Sequence, residues 1–234
     1  MALRVLVCYT FRPDAIPLGE NLAQALESMG HAVTRFDSHP GEKWMPVRKL
    51  AKTVAKLFRA KARVTTYFEE RERDRQAAAF LACVSASRPD VAIVVRGERI
   101  PVAAIDACTG LGVRKRIVWW VKHPRWQQAL IDEAPHFDAA FSIDGTLAGS
   151  GIRNLPSWAL QAGVFFADGR KKSRPIIFVG AHSDRRQRFL ESLADLPITI
   201  FGPGWATRLP LGHPLRARLG ERWLSGKRLA DAYR

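Results

Sequence analysis

The sequence predicts an α/β protein: a doubly wound parallel sheet over residues 1–166, then the start of a second α/β unit over 167–234. Three observations predict it. Short, β-branched apolar runs alternate with helix-forming stretches along the whole chain. The runs are apolar at nearly every position, as in strands covered on both faces. A polar, basic, glycine-containing stretch, ADGRKKSR at 167–174, then separates the last elements from the rest and reads as a linker.

The elements follow in order. LRVLVCY at 3–9 is a strand, and 18–29 carries Leu22, Ala25, Leu26 and Met29 at helical spacing with Gly30 placed to cap the end. HAVTRFD at 31–37 completes a βαβ unit, for which a right-handed crossover and parallel pairing are the default. Residues 43–87 read as helix in two pieces, the second over 68–84 with the mixed charges EERERDRQ of an exposed face. PDVAIVVRGE at 89–98 is the third strand. A helix follows from Ile100, with Pro101 in its first turn and glycines at its end. RIVWWV at 116–121, FDAAFSID at 137–144 and NLPSWAL at 154–160 supply strands four to six, with a helix at 124–133. Beyond the linker, IIFVG at 176–180, a helix at 185–193 and ITIFGPGW at 198–205 begin a second α/β unit on the same strand-then-helix pattern.

Composition narrows the setting. The 37 Lys and Arg residues against 22 Asp and Glu give a net charge of +15, which draws the protein to phosphates, acidic lipid or nucleic acid. The charge alone does not choose among them. No RRM, KH, helix-turn-helix or zinc pattern is present, which argues against nucleic acid. The three cysteines, Cys8, Cys83 and Cys108, lack metal or redox spacing and read as buried thiols in a reducing compartment. No run reaches the ~20 apolar residues of a membrane span, so the expected location is the cytoplasm, with attachment to the inner-membrane surface left open.

In open parallel sheets, ligands bind beyond the carboxyl ends of the strands. The turn after strand 176–180 is the strongest phosphate candidate there: Gly180 admits close backbone approach, His182 and the arginines Arg185 and Arg186 add donors, and the next helix offers its first-turn amides. Gly202 and Gly204 mark the neighbouring turn. Neither GxGxxG nor GxxxxGK[ST] occurs, so the sequence does not support a classical dinucleotide site or a P-loop. His123, just past the fourth strand, and Glu98, just past the third, are the candidate acid–base groups, set against ordinary roles as a helix cap and an ion-pair partner. No metal ligand set is visible. The stretch from Lys43 to Val64 holds eight Lys or Arg residues and no acid. Its apolar positions share one helical face while Lys49, Lys52, Lys56 and Arg59 lie largely off it, with Trp44 in front, which fits either an anionic lipid surface or packing on the protein's own sheet.

Taken together, RPDVAIVVRGERIP (88–101), RIVWWVKHP (116–124), APHFDAAFSIDG (134–145), RPIIFVGAHSDRRQRFLESL (174–193), ITIFGPGW (198–205) and LSGKRLADAYR (224–234) resemble, in order, the CgeB-like (spore-maturation) branch of GT-B glycosyltransferases. The resemblance covers nearly the whole chain, although each motif is loose. It implies a GT-B-like pair of Rossmann-like domains facing a cleft, an acceptor side at 1–166 and a nucleotide-sugar donor side at 167–234. It also implies a metal-independent transferase that uses the nucleotide sugar as co-substrate and needs no cofactor. Gly180, Arg185 and Arg186 would lie by the donor diphosphate, with 202–205 lining the same site, and His123 and Glu98 would face it from the acceptor side. Two departures stand out: Lys122-His123 replaces acidic residues before the proline, and Arg234 falls in an early helix of the donor domain, which would leave that domain incomplete. The alternative expectation is a truncated, non-catalytic module that binds an acceptor or docks on a membrane.

Overall fold

The computed structural model describes residues 1–11, 17–39, 61–95, 100–121, 127–147, 149–156, 169, 176–222, 224 and 226–233. They fall into two compact units, Met1–Ala159 and Leu160–Arg234.

Unit 1 is a six-stranded, wholly parallel sheet. Its strands are β1 (Arg4–Tyr9), β2 (Ala32–Asp37), β3 (Val91–Val95), β4 (Lys115–Trp120), β5 (Ala139–Ser142) and β6 (Ile152–Asn154), in the order β2-β1-β3-β4-β5-β6. The α-helices among the described residues are α1 (Leu18–Ser28), α2 (Lys61–Ser87), α3 (Val102–Gly110) and α4 (Gln127–Glu133). The chain winds one way from β1 to β2 and the other way from β3 onward. With the right-handed crossovers that are the rule between parallel strands, such a reversal sends the later helices to the opposite face from α1. The core shows it: Leu6, Cys8, Ala92 and Val94 pack with Phe80 and Val84 of α2 and Ile105 and Cys108 of α3. Tyr9, Val95 and Trp119 pack instead with Leu18 and Leu22 of α1.

Helix ends obey their sequence signals. Gly30 adopts φ +86°, and its amide bonds Glu27 O while His31 N bonds Leu26 O, a Schellman closure that a side chain at position 30 would strain. Gly112 closes α3 in the same way. The charged stretch EERERDRQ belongs to one continuous 27-residue helix, of which the expected piece at 68–84 is the interior. At 1.5 Å per residue α2 is about 40 Å long, roughly twice the length of a six-residue strand. Among its described side chains the buried ones, Gln76, Phe80 and Val84, lie in the C-terminal half.

Two elements differ from the sequence reading. The sixth strand is Ile152–Asn154 rather than 154–160: the turn through Gly149 and Gly151, both at positive φ, delivers Ile152 directly into register with Ala140. The residues at 157–160 lie outside those described. The last strand ends at Phe201 rather than at Trp205, because Gly202 turns the backbone to φ +139°.

The amino edge of the sheet carries one device twice. Asp90, directly before β3, donates its amide to Arg4 O and accepts the Arg4 amide on its carboxylate at 2.8 Å. Asp138, directly before β5, does the same to Arg116, at 2.7 Å. Arg114 binds the Asp90 carboxylate, and the Arg116 side chain binds that of Asp138. The Arg4 amide and then the Arg114 guanidinium hold the Asp90 carboxyl down to about 2, and Arg116 lowers that of Asp138. A lowered carboxyl pKa contributes stability that is present above the unfolded value and lost as pH falls through the folded one. Unit 1 should therefore weaken between about pH 4 and pH 2, and Asp90→Asn should flatten that part of the curve. Urea melts followed by circular dichroism at pH 6 and pH 2.5 check it; an unchanged loss in the variant would refute the assignment.

The three cysteines converge in one core. Cys8 and Cys108 are buried between the sheet and α2–α3, and Cys83 packs against them. Burial pushes the Cys108 thiol up to about 11 and that of Cys8 higher still, so both stay protonated and unreactive.

Unit 2 contains β7 (Ile176–Val179) and β8 (Ile198–Phe201), paired in parallel, with α5 (Asp184–Glu191), α6 (Trp205–Arg208) and α7 (Gly226–Tyr233). The free side of β8 is partly covered. Leu219 bridges Ile200 in parallel, Gly220 N donates to Ile200 O and Gly202 N to Glu221 O, so 219–221 serves as a rudimentary third strand. Leu190, Ile198, Ile200, Trp205, Leu209 and Leu215 form the core.

Candidate functional site

In unit 2 the two βα turns cross each other. A Cβ on Gly202 would stand 2.1 Å from Gly180 O, and one on Gly204 would stand 3.2 Å from the His182 Cβ. These glycines are therefore required by the contact of one turn with the other. Trp205 locks the crossing: its indole N–H donates to Gly180 O at 2.8 Å, while its ring meets Phe178 and His182 edge-on.

The crossing decides which amides remain for a ligand. Gly180 N is used by Phe201 O, His182 N by Pro203 O and Gly202 N by Glu221 O. Ser183 caps α5 by accepting the Arg186 amide. Among the described residues, the amides of Ala181, Ser183, Asp184 and Arg185 meet no acceptor. They form an exposed rim of donors at the start of an eight-residue helix.

The side chains there divide in role. Arg186 turns back, its Nη1 donating to Ala181 O at 2.7 Å, and so braces the turn. Arg185 is exposed and has no side-chain partner among the described residues. Asp184 adds a carboxylate to the same first turn. His182 is oriented inward, bonded through Nε2 to Gln187 Oε1 at 2.8 Å. Gln187 in turn donates to Glu191, which also pairs with His213 Nε2. These two bonds, that of Gln187 first, lower the Glu191 carboxyl pKa. His213 Nδ1 accepts the Leu215 amide, which leaves Nε2 as the protonated nitrogen facing Glu191. Gly180, His182, Arg185, Arg186, Gly202 and Gly204 are thus gathered within one turn pair, with Arg185 as the open cation and the others holding the turn. Ser183 and Gln187 escaped the sequence reading. A Ser three residues before Arg186 at a helix start was the available signal for the first.

In unit 1 the strand order reverses between β1 and β3, and the carboxyl ends of strands at such a reversal are where open parallel sheets commonly take ligands. Glu98 and His123, the expected acid–base pair, lie outside the described residues, as do Trp44, Lys49, Lys52, Lys56 and Arg59 of the basic segment. The described part of the edge has another feature. The buried polar or charged side chains among the described residues are Ser38, Gln76 and Ser142. Ser38 directly follows β2 and Ser142 ends β5. Ser142 Oγ accepts the Asp144 amide, and Ser38 Oγ bonds His39 Nδ1. Gln76 Nε2 donates to Glu72, whereas Gln76 Oε1 meets no donor among the described residues.

Among the described residues no His, Cys, Asp or Glu side chains cluster as metal ligands, and no helix is long and apolar enough to cross a membrane. No protein-family model matches the chain, and no curated protein matches it. Among solved structures it is similar to the glycosyltransferase SnogD from Streptomyces nogalater, with 16% identity and a TM-score of 0.48 over 97% of this chain and 74% of that one. At that TM-score the likeness carries no weight for function.

Proposed function

We propose that the chain is a GT-B-type glycosyltransferase protein that takes a nucleotide-sugar donor on unit 2 and an acceptor on unit 1. The observation that carries the reading is the crossed glycine turn pair, which turns the amides of 181 and 183–185 outward beside the exposed Arg185. Outward amides and a guanidinium are the donors that a diphosphate needs. The ordered sequence motifs shared with CgeB-like transferases add support, as does the parallel βα construction of both units.

In the proposed reaction the acceptor hydroxyl oxygen attacks the anomeric carbon of the sugar. The bond from that carbon to the diphosphate oxygen breaks, and a base takes the hydroxyl proton. His123 and Glu98 are the base candidates. Charge grows on the departing diphosphate, so fixed donors at the start of α5 favour the transition state over the ground state. The proposal needs no metal for that step.

Calorimetric titration with UDP-glucose, GDP-mannose and their relatives tests this. Saturable binding by one of them, weakened about tenfold in Arg185→Gln, is expected from the loss of a charge-assisted hydrogen bond. Arg186→Gln should act through the fold of the turn, lowering stability as well as affinity. Binding of none of the panel would favour the non-catalytic alternative, for which the Asp184 carboxylate at the same helix start already speaks.

A further inference from the structure

His213 is held by two bonds that make opposite demands on its ring. Its Nδ1 accepts the Leu215 amide at 3.2 Å and so caps the 3₁₀ turn Pro214–Arg218, while Nε2–H donates to Glu191 Oε1 of α5 at 3.0 Å. The cap needs a lone pair on Nδ1, whereas the carboxylate favours the imidazolium. Since Nε2 already carries its proton, a second one can go only to Nδ1, where it displaces the Leu215 amide. Imidazole is the side chain that ordinarily changes charge between about pH 8 and pH 5, and this one is 16% exposed, open to protons from solvent.

The capped turn leads to the crossed glycine pair. Leu215 is fully buried in the unit 2 core, and Leu219 beyond it bridges Ile200. Gly220 N then donates to Ile200 O, and Glu221 O takes the Gly202 amide. Gly202 in turn lies against Gly180 O. The charges on the elements around His213 are Arg188 and Glu191 on α5, Asp195 after it, Arg208 on α6, and Arg216 and Arg218 in its own segment. Arg216 and Arg218 are turned onto Leu209 O and Ala194 O, so the segment stays tethered when its first amide is freed. Among the described residues Glu191 is the acid bonded to the ring.

We propose that His213 is a proton-operated latch: on taking up a proton at Nδ1 it lets go of Leu215 and loosens the 219–221 segment that braces Gly202. The cap favours the neutral ring in the folded chain, so its share of stability is present at neutral pH and lost as pH falls through the titration of His213. Glu191 pulls the other way and brings the release to higher pH. The latch rests on unit 2 alone. That its opening weakens nucleotide-sugar binding rests on the function proposed above.

Amide hydrogen exchange on the full chain, read by NMR as protection factors at pH 7.5 and pH 5, tests the latch, with the His213 ring protons following its titration. Protection of Leu215 should fall about fivefold as the ring gains its proton, with a smaller fall at Gly202 over the same range. His213→Asn supplies a capping oxygen that does not titrate, so both amides should become insensitive to pH. Glu191→Gln keeps the acceptor oxygen without its charge, and the release should move to lower pH. Three results would overturn the latch: unchanged protection of Leu215 through the titration of His213, a fall at Leu215 with none at Gly202, or the same pH dependence in His213→Asn. Titration with UDP-glucose at pH 7.5, followed at the amides of α5, reports separately on function. No binding there, with the release intact, would sink glycosyl transfer and leave the latch standing.

Discussion

Replacing Gly202 by alanine is expected to unfold the β7–β8 turn pair. Its backbone at φ +139° is one that L side chains rarely adopt, at a cost of roughly 1–3 kcal/mol. The added Cβ would also overlap the Gly180 carbonyl oxygen, a backbone atom that can move away only by opening the sheet. Overpacking of this kind costs about 1–3 kcal/mol more. The sum, about 2–6 kcal/mol, is a large share of what a unit of this size has. Hydrogen exchange on the full chain is the direct measure: the amides of β7 and β8 should lose protection while those of β1–β5 keep it. Retained protection across β8 in the variant would show that the turns can separate freely.

Trp205 should have an effect of similar size by another route. It is 1% exposed and fills the middle of the unit 2 core, so Trp205→Ala should cost about 3–5 kcal/mol. Trp205→Phe separates packing from polarity. The ring contacts with Phe178 and His182 largely survive, whereas the Gly180 carbonyl loses its indole donor, at about 1–2 kcal/mol. Urea unfolding followed by far-UV circular dichroism orders the three proteins. Equal stability of wild type and Trp205→Phe would show that the indole hydrogen bond contributes nothing. The same series bears on ligand binding, because the bond that Trp205 makes to Gly180 shapes the turn whose next amide faces solvent.

Much of unit 1 was legible because its strands are continuous apolar runs bounded by glycine and proline. LRVLVCY and VAIVV have few other fates than a doubly covered parallel strand. The sixth strand was misplaced by a few residues, since its three residues, IRN, include only one apolar side chain; glycine geometry rather than hydrophobic pattern starts it. The glycines of unit 2 were legible as special, but not the reason for them. A phosphate cradle and a turn-on-turn contact both demand glycine, and only the second turn, some twenty residues away, distinguishes them. Gln76 was hidden for the opposite reason. It sits in the charged stretch EERERDRQ, which reads as a solvated face, yet it shares a helical stripe with Phe80 and Val84.

The paired aspartates at the amino edge have a bearing on how such a protein can change. Asp90 and Asp138 fix strand register from the amino end of the sheet, each clasping a residue at the start of a neighbouring strand, Arg4 or Arg116, in both directions. A one-residue slip of either pair, β1 on β3 or β4 on β5, would break both hydrogen bonds of its clasp. The connections at the opposite edge are thereby relieved of any alignment duty. They can lengthen, shorten or be exchanged for those of a relative, and a new binding specificity can be acquired there without disturbing the sheet beneath.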